Sequence, residues 1–306
     1  MHTIFSEKLL GLPFWFWQFV VFPVTISAFL LLVNVARDKW KAYKNFKLLK
    51  EYCVIWLEQI IANGKFRLSY YSEMAKALQE YDDDDLIHHK YPINCEKILN
   101  LKVEDLLSLF IKKVEFKDTD EKYFYKSESG NYVALIENLQ GVLLLEQMAD
   151  DKIKNCLALV EKYQSVLENE YKTLIQKMDF HKGDLQKADA SIVTDEYFEF
   201  VDDIFSASAI EKNESWKNKE IIAKVIDPLI ETSREYLNLN PFDQHLLPII
   251  QTGLEYKRVH KIFYDTLKFD SGIFKDFFNQ LNDKIDYIEK YLERYKQSKT
   301  KSWLDF

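Results

Sequence analysis

Residues Phe14–Val35 read FWFWQFVVFPVTISAFLLLVNV, and this run decides how the rest of the chain is placed. It lies within 28 consecutive residues without a formal charge, Leu9 to Ala36, bounded by Lys8 and Arg37. A bilayer core needs about 20 predominantly apolar residues in a helix, so the run is long enough to span with some tilt. Gln18, Thr25, Ser27 and Asn34 are polar but uncharged, and Ser/Thr hydroxyls can bond back to the helix backbone. Pro23 predicts a kink in the segment, which membrane helices tolerate better than soluble ones.

The flanks support a membrane span. Trp15 and Trp17 stand at one end and Trp40 at the other, between Lys39 and Lys41, where aromatic rings settle at headgroup level. The basic cluster lies wholly on the C-terminal side of the run, while ahead of it Glu7 and Lys8 cancel. From Arg37 to Arg67 there are eight, namely Arg37, Lys39, Lys41, Lys44, Lys47, Lys50, Lys65 and Arg67, against Asp38, Glu51 and Glu58. By the positive-inside rule this side is cytoplasmic and the N-terminus faces out. A basic neck also suits an anionic inner leaflet. A cleaved signal peptide fits less well, because the n-region is neutral and the apolar core long. A buried core helix would have to cover five bulky aromatics within Phe14–Phe19 on every side, and an interfacial helix would need a polar face.

Beyond the neck the chain turns acidic. The whole carries −8, residues 37–67 carry +5, and residues 68–306 carry the balance of −13. An acidic body argues against nucleic-acid binding, which requires cationic surface to displace counterions from phosphates. Cys53, Cys95 and Cys156 are too widely spaced for a CxxC pair or a disulfide framework and read as free thiols.

Hydrophobic residues make up 47% of the 306, enough for a packed core, while Gly and Pro number only seven and six. Sheets joined by tight turns need more of both, so the composition favours helices. The expected fold is all-α: an N-terminal transmembrane helix, then an elongated cytosolic bundle with long antiparallel helices. Residues 1–36 form the segment with the span, at about 14–35. Residues 37–62 form a basic amphipathic helix in which Trp40, Tyr43, Phe46, Leu49, Cys53, Trp56 and Ile60 recur at helical intervals. Asn63-Gly64 is its expected stop. A helical domain over 63–180 begins with a short helix near Ser72–Tyr81, and strands are entertained only at Tyr123–Tyr125. Cys156, Val160, Tyr163, Leu167, Tyr171, Leu174 and Met178 step by three and four, marking a long helix. The polar stretch His181–Thr194 is the candidate joint to a C-terminal bundle, 181–306. There helices are expected over 195–211 and 215–237, the second bent at Pro228.

That bundle is expected to end in a helical hairpin whose first arm runs from Pro241 to about Phe269. The second arm carries Phe274, Phe278, Leu281, Ile285, Ile288, Leu292 and Tyr295 in heptad spacing. Such a seam packs on a helix of the same chain, or serves self-association or partner capture.

The glycines exclude several chemistries. The closest pair, Gly130 and Gly141, is eleven residues apart, so no Walker A loop, GxGxxG turn or GxSxG elbow exists. HExxH is absent, and no cofactor is expected. The nearest approach to a metal site is the run from Asp82 to His89, where Asp84 and His88 would share a helix face. It also reads as an acidic loop capping a helix. His260 falls on the apolar side of its helix, His245 and Asp243 open one, and Glu196, Glu199 and Asp203 share a wet face. The C-terminal Trp303–Phe306 forms an aromatic tail. These features lead to a single-pass, cytosol-facing helical protein that works through protein interaction, as adaptor, sensor or effector subunit. Its partners would be membrane lipid at the span and a protein or a second copy of itself. Two alternatives remain: a hydrolase with a site assembled from distant carboxylates or a metal, and an oligomeric effector that disturbs the bilayer.

Overall fold

A computed structural model describes residues 8–9, 11–13, 16–81, 86, 92–107, 109–110, 114–115, 128–185, 217–239, 246–297 and 299–300. The described residues are all-α apart from two minimal bridges. Strands β1 (Lys8–Leu9) and β2 (Leu12–Pro13) pair antiparallel, and so do β3 (Val114–Glu115) and β4 (Lys299–Thr300). Gly11 closes the first pair with φ +82°, a conformation open to glycine without steric cost. The strands expected at Tyr123–Tyr125 lie outside the described residues.

Three long helices dominate: α1 (Phe22–Gln79), α4 (Glu128–Leu185) and α7 (Leu246–Gln297). Between them come the short α2 (Glu96–Leu99), α3 (Val103–Leu107) and α5 (Asn218–Ile221), then α6 (Asp227–Leu239). Among the described residues, π turns interrupt the helical repeat at Trp17–Val21 and Ile222–Ile226. Each is followed by a proline at the second position of the next helix, Pro23 and Pro228. The cause is shared. Proline has no N–H for the carbonyl four residues back, and its ring crowds that carbonyl. Widening the preceding turn to i→i−5 bonds, Phe22 N–H to the Trp17 carbonyl and Asp227 N–H to the Ile222 carbonyl, makes room without ending the helix.

Three expectations are corrected. Helix α1 does not stop at Asn63-Gly64 but continues to Gln79, absorbing the short helix expected near Ser72–Tyr81. Gly64 is buried there, so packing outweighs the roughly 1 kcal/mol that glycine costs a helix interior. The C-terminal hairpin does not form either. Leu246–Gln297 is one helix, and Asp270-Ser271-Gly272, which resembles a turn, lies inside it. Gly183 in the expected joint lies within α4. The helix expected over 195–211 falls outside the described residues.

The chain divides into two compact units, each assembled from separated segments. Unit 1 holds residues 1–63, 93–143 and 284–306, and unit 2 holds 64–92 and 144–283. In unit 1 the core is built on Phe46, Cys53, Leu57 and Ile60 from α1, Leu135, Leu139 and Val142 from α4, and Ile285, Ile288 and Tyr295 from α7. Phe110 is fully buried, its ring 5.5 Å from Tyr295 and 5.9 Å from Tyr132. Lys296 Nζ meets Glu58 Oε1 at 2.6 Å, and Lys50 lies 5.2 Å above the Tyr295 ring.

In unit 2 helix α7 runs antiparallel to α4. Asp270 meets Lys152 and Cys156, Phe263 stacks on Tyr163 at 5.2 Å, and Tyr256 meets Tyr171 at 6.5 Å. The π turn at Ile222–Ile226 and helix α6 complete this end, with Val225 and Ile226 of the first and Leu229 and Ile230 of the second packed on Leu167, Leu174, Met178, Ile249 and Ile250. The α4 stripe read from spacing is therefore core: Cys156, Val160, Leu167, Leu174 and Met178 are buried, and Tyr163 and Tyr171 are half-buried.

Candidate functional site

The N-terminal apolar run folds as a continuous helix from Trp17, and none of its apolar window is buried by the chain. Every residue from Phe22 to Asp38 is exposed. Phe19 is 66% exposed, Phe29 65% and Leu32 65%. Each such side chain would gain about 1.5–3 kcal/mol on leaving water, and a contiguous apolar surface of this extent marks a contact with something else. By length and composition this helix can cross a membrane. Thr25 satisfies its hydroxyl inside the helix, donating to the Val21 carbonyl at 2.5 Å and lying 3.1 Å from that of Phe22. A polar atom in the run is thus met by the helix itself, as a lipid-facing segment requires.

The expected interfacial residues fall as follows. Trp17 is half-buried, its ring 6.5 Å from Phe22, and Trp15 lies outside the described residues. Arg37, Trp40 and Lys41 are exposed and Lys39 half-exposed, one after another past the apolar run. Arg37 Nε stands 3.7 Å from Asp38, and Trp40 packs its ring 6.0 Å from Tyr43. Lys44 and Lys47 continue the exposed basic face.

Arg67 does not belong to that face. Counted as the last cation of the neck, it is instead fully buried in unit 2. Its guanidinium pairs with Asp150, stands 3.7 Å from Glu146 Oε1, and lies 5.7 Å from the ring centres of both Tyr70 and Tyr71. Burial holds the Tyr71 phenol above its ordinary range, against the pull of Arg67. Within two turns of Asp150 on α4, Lys152 and Cys156 meet Asp270 of α7, which accepts from Lys152 Nζ at 2.6 Å and from the Cys156 thiol at 3.2 Å. Burial first, and the Asp270 hydrogen bond second, push the Cys156 thiol up to about 12. Both are packed structural clusters that satisfy buried charge.

No known protein family, characterised protein or solved structure matches this chain.

The heptad residues are committed inside the fold. Phe274, Leu281, Ile285, Ile288, Leu292 and Tyr295 are buried, while Phe278 is half-buried and Phe277 takes the inward place beside it. In unit 2, Phe274 and Phe277 pack on Tyr71 at 6.2 and 6.1 Å; in unit 1, Tyr295 packs on Phe110. The chain's own helices occupy the seam. Asp84 and His88 lie outside the described residues, as do Glu196, Glu199, Asp203, Asp243, His245 and the tail Trp303–Phe306. Among the described residues, no group of three or more His, Cys, Asp or Glu is placed to hold a metal. His260 is half-buried with its ring 4.4 Å from Tyr264.

Sequence reading missed the two buried clusters. A signal existed for Arg67: it stands at i, i+4, i+7 spacing with Tyr71 and Met74, on the inward stripe of α1. A cation on an apolar stripe asks for a buried carboxylate partner.

Proposed function

We propose that this protein is held to a membrane by a single N-terminal span, with its helical body in the cytosol, and that it acts through protein interaction as an adaptor, sensor or effector subunit. The observation that carries this reading is the full exposure of the apolar window of α1. A soluble protein buries such a surface; this chain leaves it for another phase. The exposed run Arg37, Lys41, Lys44 and Lys47 supports the orientation, since cations stay on the cytosolic face and meet its anionic lipid. The absence of close glycines and of HExxH from the sequence favours interaction over catalysis.

The test separates two versions of the chain. The full protein, expressed in cells, should stay with the membrane fraction through an alkaline carbonate wash. A version beginning at Arg37 should appear in the supernatant, monodisperse and helical. Solubility of the full chain without detergent, together with aggregation of the shortened one, would show that the apolar run belongs to the core.

A further inference from the structure

Helix α1 carries Ser27, Asn34, Lys41, Leu48, Ile55 and Ala62 at every seventh position, and all six are exposed. The residues four further on, among them Asp38, Asn45 and Tyr52, fall on the same side and are exposed too. In unit 1 this stripe points away from the core, which α1 meets through Phe46, Cys53, Leu57 and Ile60. An outward face calls for polar residues, yet past the basic neck Leu48, Tyr52 and Ile55 form an apolar strip there. Tyr52 stacks on Trp56 at 6.0 Å, which fixes its ring on the strip. Lys44 and Glu51, one heptad apart, run along its edge. Apolar positions bordered by both charge signs are the pattern of a two-stranded coil.

Continuity says what covers the stripe. One helix forms both the apolar window and the strip, without a break from Phe22 to Gln79. A partner that follows the stripe through both must itself leave the membrane as one helix, and a second copy of this chain does so by symmetry. In the span the stripe places Ser27 and Asn34, whose hydroxyl and amide both donate and accept, so each can bond to its equivalent across a two-fold axis. Asp38 and Lys41 then bring both signs to the same face. Asn45 stands one turn before the strip, where a polar residue in a coil fixes register. On a straight helix the stripe drifts by about 20° per heptad, which a left-handed supercoil takes up.

We propose that two copies pair in parallel along this face of α1, from the span to Ala62, with Leu48, Tyr52 and Ile55 as the apolar contact. The pairing rests on the anchoring reading, because one membrane gives both copies the same orientation and raises their effective concentration.

Disulfide cross-linking of the full chain, in the membranes of the cells that express it, tests the pairing. The three native thiols are buried, so an added cysteine reports its own surroundings. A bridge forms only where Cα atoms come within about 7 Å. Leu48→Cys and Ile55→Cys should each give, on mild oxidation, a species of twice 36.5 kDa. The yield should be about fivefold or more above that of Lys47→Cys, exposed but roughly 100° round the helix from Leu48. Adding Leu48→Glu to Ile55→Cys sets like charges on the strip and should cut the yield by a similar factor, with helix content by circular dichroism unchanged. Equal yield at Lys47→Cys, no cross-link on the strip, or a product of another mass overturns the proposal. An alkaline carbonate wash of the same membranes reports the anchor separately. A chain that stays in the pellet without cross-linking defeats the pairing alone; a chain that washes out defeats both readings.

Discussion

Arg67 and Asp150, 83 residues apart in the chain, form a direct ion pair in which the arginine side chain has no exposure and the aspartate 18%. Glu146 stands on the same side of the guanidinium at 3.7 Å. Two carboxylates thus depend on one buried cation, and breaking a buried pair from one side costs more than making it gains. Arg67→Ala should destabilise unit 2 by about 3–5 kcal/mol. Asp150→Asn should cost less, because Glu146 remains beside the arginine. Urea unfolding followed by circular dichroism measures both, and a loss below about 1 kcal/mol for Arg67→Ala would refute the assignment.

The thiols give a pH dependence with a definite sign. Burial pushes Cys53 and Cys156 from 9.0 up to about 12. Their folded values lie above their unfolded ones, so the unfolded chain releases its thiol protons first as pH rises. Their contribution to stability is whole below about pH 9 and declines between pH 9 and 12. The urea midpoint should therefore fall over that interval, and Cys156→Ser should flatten part of the slope. A midpoint unchanged to pH 11 would contradict the burial of both groups.

The same burial predicts protection from alkylation. Iodoacetamide at pH 8 attacks the thiolate, which both residues lack in the folded protein. Cys53 and Cys156 should stay unmodified over hours under native conditions and react within minutes in urea, as peptide mass spectrometry can show. Rapid native labelling of either would place it at a surface.

Two glycines of α7 should respond oppositely to alanine. At Gly272 an added methyl group meets nothing within 4 Å, so Gly272→Ala should stabilise by about 0.5–1 kcal/mol through helix propensity. At Gly253 it would sit 3.0 Å from Ile230 Cδ1 and Cγ1 and 3.4 Å from Ile226, both in the core. Gly253→Ala should cancel that gain or lower stability by about 1 kcal/mol. Thermal unfolding of the pair decides it, and equal shifts would mean that α6 does not pack there.

Helix class and the inward faces were legible locally. The three-and-four steps of α4 and the scarcity of glycine and proline depend only on neighbours in the chain. What escaped depended on distant partners. Asp270-Ser271-Gly272 resembles a turn, yet Ser271 donates to the Ala75 carbonyl at 2.7 Å and Asp270 accepts from Lys152 and Cys156, so the helix carries these polar groups inward. Asn63-Gly64 resembles a stop, but buried residues on both sides of it hold the helix together. Arg67 reads as a surface cation along the chain because its carboxylates, Glu146 and Asp150, lie on another helix.

The widened turn at Ile222–Ile226 has a bearing on where Lys219 stands. One extra residue per turn rotates whatever precedes it by roughly 100° relative to an uninterrupted helix. Lys219 lies just upstream and Pro228 just downstream. A pyrrolidine ring thus sets the azimuth at which an ammonium group, nine residues earlier in the chain, is held over the Tyr264 ring.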